Sequence, residues 1–283
     1  MIISGKDLAK KIKQDIAERV PELTATYGRA PHLAVILVGE DPASQSYVKS
    51  KGKDAEQVGY KSTTIRLPEE TSEAELLDVI AGLNADDTVD GVLVQLPVPK
   101  HIDEDRVIEA ISHEKDVDGF HPANVASLWQ KRDCVYPCTP KGVIRMLDEA
   151  GVQIEGKRAV VIGRSNIVGL PMAKMLLDRN ATVTVAHSRT RDLAQVTREA
   201  DILIAAVGRL RFVTADMVKP GAVVIDVGVN RDPATGKLAG DVDYDAVEGI
   251  ASVITPVPGG VGPMTRACLM ENTLECYLRR VRK

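Results

Sequence analysis

The feature of this chain that most constrains its fold is an alternation of short apolar runs with amphipathic helical stretches. The runs are LAVILV at 33–38, GVLVQLP at 91–97, RAVVIG at 158–163, TVTVA at 182–186, DILIAAVG at 201–208 and GAVVIDVG at 221–228, each bounded by glycine, proline or charge. Continuous apolar runs of this length suit strands buried on both faces of a parallel sheet. Between them lie amphipathic segments around 44–58, 72–84, 103–111, 168–179 and 190–200. Strand and helix alternating along the whole length predicts an α/β fold. At 283 residues the chain is longer than one typical domain of roughly 100–150 residues, so two domains are expected.

The loop DCVYPCTP at 133–140 precedes a new helical pattern, KGVIRMLDEAG, and is the best boundary. It predicts an N-terminal α/β domain over 1–140 and a Rossmann-like domain with a parallel sheet over 141–262. From Pro263 the segment PMTRACLMENTLECYLRRV reads as one long helix, with proline in the first turn where its missing amide proton is not needed. Pro21 lies inside the opening helical pattern and is expected to kink or end it.

Composition narrows the partners. A formal net charge of −4 gives no electrostatic reason to expect nucleic acid or an anionic membrane, so a small-molecule substrate is the default. The opening MIISGKDLAKKIKQ lacks the apolar run of a signal peptide, and no stretch approaches the roughly 20 apolar residues of a membrane span. A cytoplasmic protein is expected. Cys134, Cys138, Cys268 and Cys276 contain no C-x2-C spacing, which supports free thiols and neither a zinc site nor a disulfide framework.

In the second half, Arg158 to Ala186 reads strand, glycine turn, helix, strand, and the turn is Gly163-Arg164-Ser165-Asn166-Ile167-Val168-Gly169. This GxSxxVG departs from the G-x-G-x-x-G of dinucleotide sites. It still offers glycines and a helix N-terminus, whose amides and dipole suit a pyrophosphate, although a purely structural turn has the same ingredients. The next strands also end at glycines, Gly208 and Gly228, so backbone approaches something closely along the carboxyl edge of the sheet. An NAD site usually offers a carboxylate after the second strand; here stand His187-Ser188-Arg189, with Arg164 in the turn. Arginine plus hydroxyl fits a 2'-phosphate, and a solvated loop is the alternative.

In the first half, Tyr47, Lys51, Ala55 and Val58 share one helix stripe, whereas Lys49 and Lys53 fall away from it. Lys51 is either a long stem reaching back to solvent or, pointed into a cleft, a base usable near neutrality. Gln95 is the polar residue of an otherwise apolar strand and needs a partner, either nearby backbone or a site. Asp116 and Asp118 flank Val117 ahead of Gly119, and Asp241, Asp243 and Asp245 imitate the start of an EF-hand. Neither spacing is that of a coordinating loop, since Ala246 and Ser252 replace the required Gly and Glu of the second, so no metal is expected.

Taken together, YVKSK at 47–51, VQLPVP at 94–99, KDVDGFHP at 115–122, PCTPKG at 137–142, GRSNIVGLP at 163–171 and TPVPGGVGPMT at 255–265 resemble the bifunctional methylenetetrahydrofolate dehydrogenase/methenyltetrahydrofolate cyclohydrolase family, in order and over essentially the whole chain. The resemblance implies oxidation of 5,10-methylenetetrahydrofolate with NADP, then hydrolysis to 10-formyltetrahydrofolate, in the one-carbon folate metabolism that feeds purine biosynthesis. It implies that Lys51 is the catalytic lysine, that Tyr47 packs on the folate ring, that Gln95 holds the lysine and that Asp118 binds the pterin. Pro258, Gly259 and Gly260 match a loop that closes over folate; Gly163, Arg164, Ser165, Val168, Ser188, Arg189, Gly208 and Gly228 fall where the family holds NADP. A homodimer, and a last helix (263–283) that returns to the first domain, are implied too. Asp54 and Tyr60 depart from the family pattern outside the site motifs. The lysine on the helix stripe argues against a dehydrogenase without cyclohydrolase activity and against a nicotinamide-binding regulator, and a regulator would not need the Tyr-x3-Lys helix, the strand-end glutamine and the DVDG turn together.

Overall fold

The computed structural model describes residues 1–282 and divides into two compact units. One comprises Lys11–Cys138 and the chain from Arg266 onward; the other comprises Met1–Lys10 and Thr139–Thr265. We call them the lysine unit and the glycine-turn unit. The first residues go with the glycine-turn unit because Ile2 bridges Ile254 in parallel fashion and the Ile3 amide donates to Ile254 O.

In the lysine unit, α1 (Gly5–Tyr27) precedes β1 (His32–Val38), α2 (Pro42–Gln57), β2 (Lys61–Leu67), α3 (Glu73–Ala85), β3 (Gly91–Val94), α4 (Glu104–Ala110) and α5 (Pro122–Trp129). The sheet is parallel in the order β2-β1-β3, and a further bridge from Val92 to Asp116 continues it beyond β3. The central β1 is buried throughout. Ala34, Ile36 and Val38 meet Leu76 and Ile80 of α3 and Val92 and Val94 of β3, each large side chain contributing on the order of 1.5–3 kcal/mol by burial. The helices start where their caps dictate. Asp41 accepts the Ser44 amide at 2.7 Å ahead of Pro42, and Ser72 with Glu75 forms a capping box on α3.

Sequence and structure differ at two places here. Helix α1 does not end at Pro21: it runs on to Tyr27, with Pro21 on its exposed side and Ile12, Ile16 and Val20 on its buried one. Strand β2, KSTTIRL, is absent from the apolar runs because it is an edge strand whose exposure alternates.

In the glycine-turn unit, α6 (Cys138–Glu149), starting within the loop taken as the boundary, leads to β4 (Arg158–Ile162), α7 (Gly169–Asp178), β5 (Thr182–Ala186), α8 (Leu193–Thr197), β6 (Ile202–Ala205) and β7 (Val223–Asp226). A hairpin of β8 (Asn230–Arg231) and β9 (Leu238–Ala239), then α9 (Tyr244–Val247), β10 (Val253–Ile254) and α10 (Val261–Val281) complete the chain. The order β10-β7-β6-β4-β5, all parallel, makes β4 to β6 the point where the winding reverses. Its core joins Val160, Ile162, Leu203 and Val224 to Val213 and Val247. Helix α8 is shorter than the 190–200 pattern suggests, because Asp192 adopts a left-handed conformation (φ 48°) just before it.

From Arg266, α10 belongs to the lysine unit, where the hydroxyl of the buried Tyr277 donates to Arg29 O at 2.9 Å. Among the described residues no helix is long and apolar enough to cross a membrane.

Candidate active site

Helix α2 places Lys51 on its buried face, 7% exposed, between Val48 and Ala55, while Lys49 and Lys53 are exposed. The Lys51 amine donates to Gln95 Oε1 at 3.0 Å and stands 5.7 Å from the centre of the Tyr47 ring, one turn earlier. Gln95 follows the last residue of β3, at the carboxyl edge of the sheet; its own amide donates to Ile36 O and its Nε2 to Leu96 O at 2.8 Å. The side chain is thus held at both ends, with its carbonyl aimed at the lysine. The Leu96–Pro97 peptide that follows is cis.

The two aspartates of the DVDG turn have separate tasks. Asp116 is buried and accepts the amides of Gly119 and His121 and Nδ2 of Asn124 at 2.8–2.9 Å, which closes the turn. Asp118 interacts electrostatically with Lys51 and Tyr47. Burial raises its carboxyl above its ordinary range, while the charge of Lys51 acts the other way. Burial likewise raises the Tyr47 phenol, and nearby Arg266 opposes that shift.

Sequence reasoning missed the supports behind Asp118. Cys138 Sγ donates to Val117 O at 3.3 Å and lies 3.9 Å from Asp118 Oδ1; Asn272 of α10, fully buried, donates to Val117 O and Tyr136 O. The PCTPKG motif carried a signal for Cys138, but nothing local pairs Asn272 with a loop 155 positions away. All the described cysteines are buried, and none of them is in a disulfide. Both departures from the family pattern are anchors. Asp54 accepts Lys13 Nζ at 2.6 Å and pairs with Arg266 at 3.3 Å, and the Tyr60 hydroxyl donates to Met270 O at 2.9 Å.

In the glycine-turn unit, Gly163 follows β4 with φ +126°, and a Cβ there would lie 2.2 Å from Ala206 O, so no other residue fits this turn. The carboxyl ends of β4 and β6 border a cavity of about 320 Å³, which Gly163, Arg164, Ser165, Ser188, Val207 and Arg209 help to line. Among the described residues no carboxylate lines it. Arg164 and Ser188 are exposed at its edge; Arg189 is exposed too, but is not part of the lining. The helix amides are less free than the sequence suggests, because Ser165 Oγ accepts those of Val168 and Gly169 at 3.2–3.3 Å. Arg209 was also missed; its guanidinium lies 4.5 Å over the Phe212 ring.

Gly228 is close to protein: a Cβ there would lie 2.1 Å from Asp241 Oδ1. Asp241 is fully buried and turned inward, Asp243 is half-buried and Asp245 exposed, so that acidic run does not converge. Among the described residues no group of three or more His, Cys, Asp or Glu side chains is placed to hold a metal. The stretch Pro258-Gly259-Gly260 also belongs to this unit, with Val257–Pro258 cis and Gly259 O accepting the Lys6 amide at 3.0 Å.

A doubly wound sheet with a glycine turn at its switch point, joined in one chain to a buried lysine held by a strand-end glutamine, defines a nucleotide-dependent α/β enzyme. Residues 3–118 match the model of the tetrahydrofolate dehydrogenase/cyclohydrolase catalytic domain and residues 137–281 that of its NAD(P)-binding domain. A "Bifunctional protein FolD" of Streptococcus pneumoniae serotype 4 is 57% identical over 278 residues, covering 98% of this chain and 97% of its own. The crystal structure of a bifunctional FolD from Campylobacter jejuni superposes with a TM-score of 0.96 at 50% identity, covering 99% of each chain. The Trypanosoma brucei enzyme, described as complexed with NADP cofactor and inhibitor, gives 0.96 at 40% identity over 100% of this chain and 99% of that one. The chain belongs to the tetrahydrofolate dehydrogenase/cyclohydrolase family.

Proposed function

We propose that the chain oxidises 5,10-methylenetetrahydrofolate with NADP and hydrolyses the 5,10-methenyl product to 10-formyltetrahydrofolate, with Lys11–Cys138 and α10 handling the folate and the glycine-turn unit the nucleotide. The observation that carries this reading is the buried Lys51 amine donating to Gln95 Oε1 at 3.0 Å beside the Tyr47 ring.

Oxidation asks little of side-chain chemistry. The lone pair of a folate nitrogen stabilises the cation that forms as hydride leaves, and the residues' task is alignment. The Tyr47 ring offers a flat apolar surface to the pterin, and Asp118 accepts N–H bonds from its amide edge. NADP, when bound, supplies the hydride acceptor. The glycine-turn unit fits it: the cradle at Gly163 admits no Cβ, and Arg164 and Ser188 at a cavity edge without carboxylates suit a 2'-phosphate.

Hydrolysis asks for proton transfer. As water bonds to the methenyl carbon, the amine of Lys51, having given up its own proton and with one N–H held on Gln95, takes the proton the water loses. A proton then passes to the folate nitrogen whose bond to that carbon breaks, leaving the formyl group and one proton released overall. The test is to supply the methenyl compound alone, with no nucleotide: formyl product is expected, and its absence would remove Lys51 from the proposed role.

The resemblance also implies a homodimer in the cytoplasm. Sedimentation should give a mass near twice 30.5 kDa.

A further inference from the structure

The proposed chemistry leaves unused two buried aspartates of the glycine-turn unit, Asp226 at the end of β7 and Asp241 after β9. Asp226 fixes backbone: its oxygens accept the amides of Gly228, Asp241 and Val242 at 2.9–3.0 Å. Asp241, held in this way, faces the turn that follows β6. Its Oδ2 accepts the amides of Val207 (2.6 Å) and Gly208 (2.9 Å), and its Oδ1 accepts the amide of Arg209 (2.8 Å) and Nδ2 of Asn230 (2.9 Å). Consecutive amides gathered on one fully buried carboxylate leave that turn a single conformation, since each released donor would be left unpaired away from water. Val207 and Arg209, the ends of the turn, line the cavity at the carboxyl ends of β4 and β6. Gly228 completes the arrangement, because any Cβ there would occupy the place of the carboxylate.

We propose that Asp241 is a positioning residue for the nicotinamide cofactor: it holds the Val207–Arg209 turn, one wall of the nucleotide cavity, in the shape that receives the ligand. The inference rests on reading this cavity as the NADP site. Asp241 does not touch the ligand. It works through the turn, so removing it should weaken nucleotide binding without involving the lysine unit.

The test uses Asp241→Asn, which keeps the side-chain shape but turns one accepting oxygen into a donor facing backbone amides. NADPH binding to the full chain is followed by nucleotide fluorescence, amide exchange by mass spectrometry or NMR, and methenyl hydrolysis without nucleotide serves as the readout of the lysine unit. The dissociation constant for NADPH should rise about tenfold or more, equivalent to about 1.4 kcal/mol. The amides of residues 207–209 should lose exchange protection in the ligand-free protein. Gly228→Ala, which leaves the carboxylate in the chain but crowds it, should reproduce both effects. An unchanged NADPH constant in either folded variant, or a parallel collapse of methenyl hydrolysis in both, would overturn the inference. If the unaltered protein fails to bind NADPH, the cofactor reading itself falls and the inference with it.

Discussion

Replacing Lys51 by methionine separates the two chemical steps. Lys51 is 7% exposed and its amine donates to Gln95 Oε1 at 3.0 Å, so Lys51→Met keeps the apolar stem in place and deletes the amine. The lost contact with the Tyr47 ring, 5.7 Å away, is worth about 0.5–1 kcal/mol, so folding should survive. Proton transfer by a positioned group contributes about 10²–10⁴ in rate, equivalent to about 3–5 kcal/mol of barrier. Methenyl hydrolysis should fall by at least the lower figure. Hydride transfer, which needs alignment, should remain measurable, so the methenyl compound accumulates when the variant is given 5,10-methylenetetrahydrofolate and NADP. Lys51→Arg should fail in the same step, because guanidinium does not release its proton near neutrality. Absorbance of the methenyl product and chromatography of the formyl product read the two steps. Hydrolysis by Lys51→Met at close to the unaltered rate would show that the lysine is a packing residue.

Three further outcomes are expected. Arg164→Ala should raise the Michaelis constant for NADP more than that for NAD, and Arg189→Ala, outside the cavity lining, should do so less; equal effects on both nucleotides would show that neither arginine reads the 2'-phosphate. Gly163→Ala, with its Cβ 2.2 Å from Ala206 O at φ +126°, should abolish measurable NADPH binding while methenyl hydrolysis persists, and retained binding in a titration would refute the close approach. Burial raises the Asp226 carboxyl from 3.8 to about 6. Because this folded value lies above the unfolded one, Asp226 favours folding most below about pH 4, and that contribution is lost as pH rises through 6. A carboxyl NMR titration with its midpoint near 4 would show that the amide donors outweigh desolvation.

What the sequence reveals of this protein is what local geometry controls. Lys51 is legible because residues four apart share a helix face, and Gln95 because one polar residue in an apolar strand must find a partner. Gly163 is legible as the glycine of a strand-to-helix turn, and its φ of +126° favours glycine locally, although the Ala206 O that excludes a Cβ comes from the distant end of β6. Gly228 is legible in part, since a sequence can say that backbone is approached closely but not by what; here one neighbour is Asp241. Asn272, which with Cys138 seats the turn of Asp118, is joined to that cysteine across 134 positions and has no local signature. Of the two outcomes Pro21 suggests, a kink or an end, the structure excludes the end, since α1 continues to Tyr27. Strand β2 is hidden because an edge position removes the need for a continuous apolar run.

The central claim is that this one chain carries both reactions and carries them with NADP. It is tested most directly by giving the purified protein 5,10-methylenetetrahydrofolate with NADP or with NAD and accounting for every product in one vessel. NADPH formed should equal the sum of methenyl and formyl compounds, with the formyl compound predominating at the end and NADP used in preference to NAD. Reduced nucleotide accompanied by methenyl compound alone, formed no faster with NADP than with NAD, would contradict both the hydrolytic role of the Lys51 site and the reading of the nucleotide cavity.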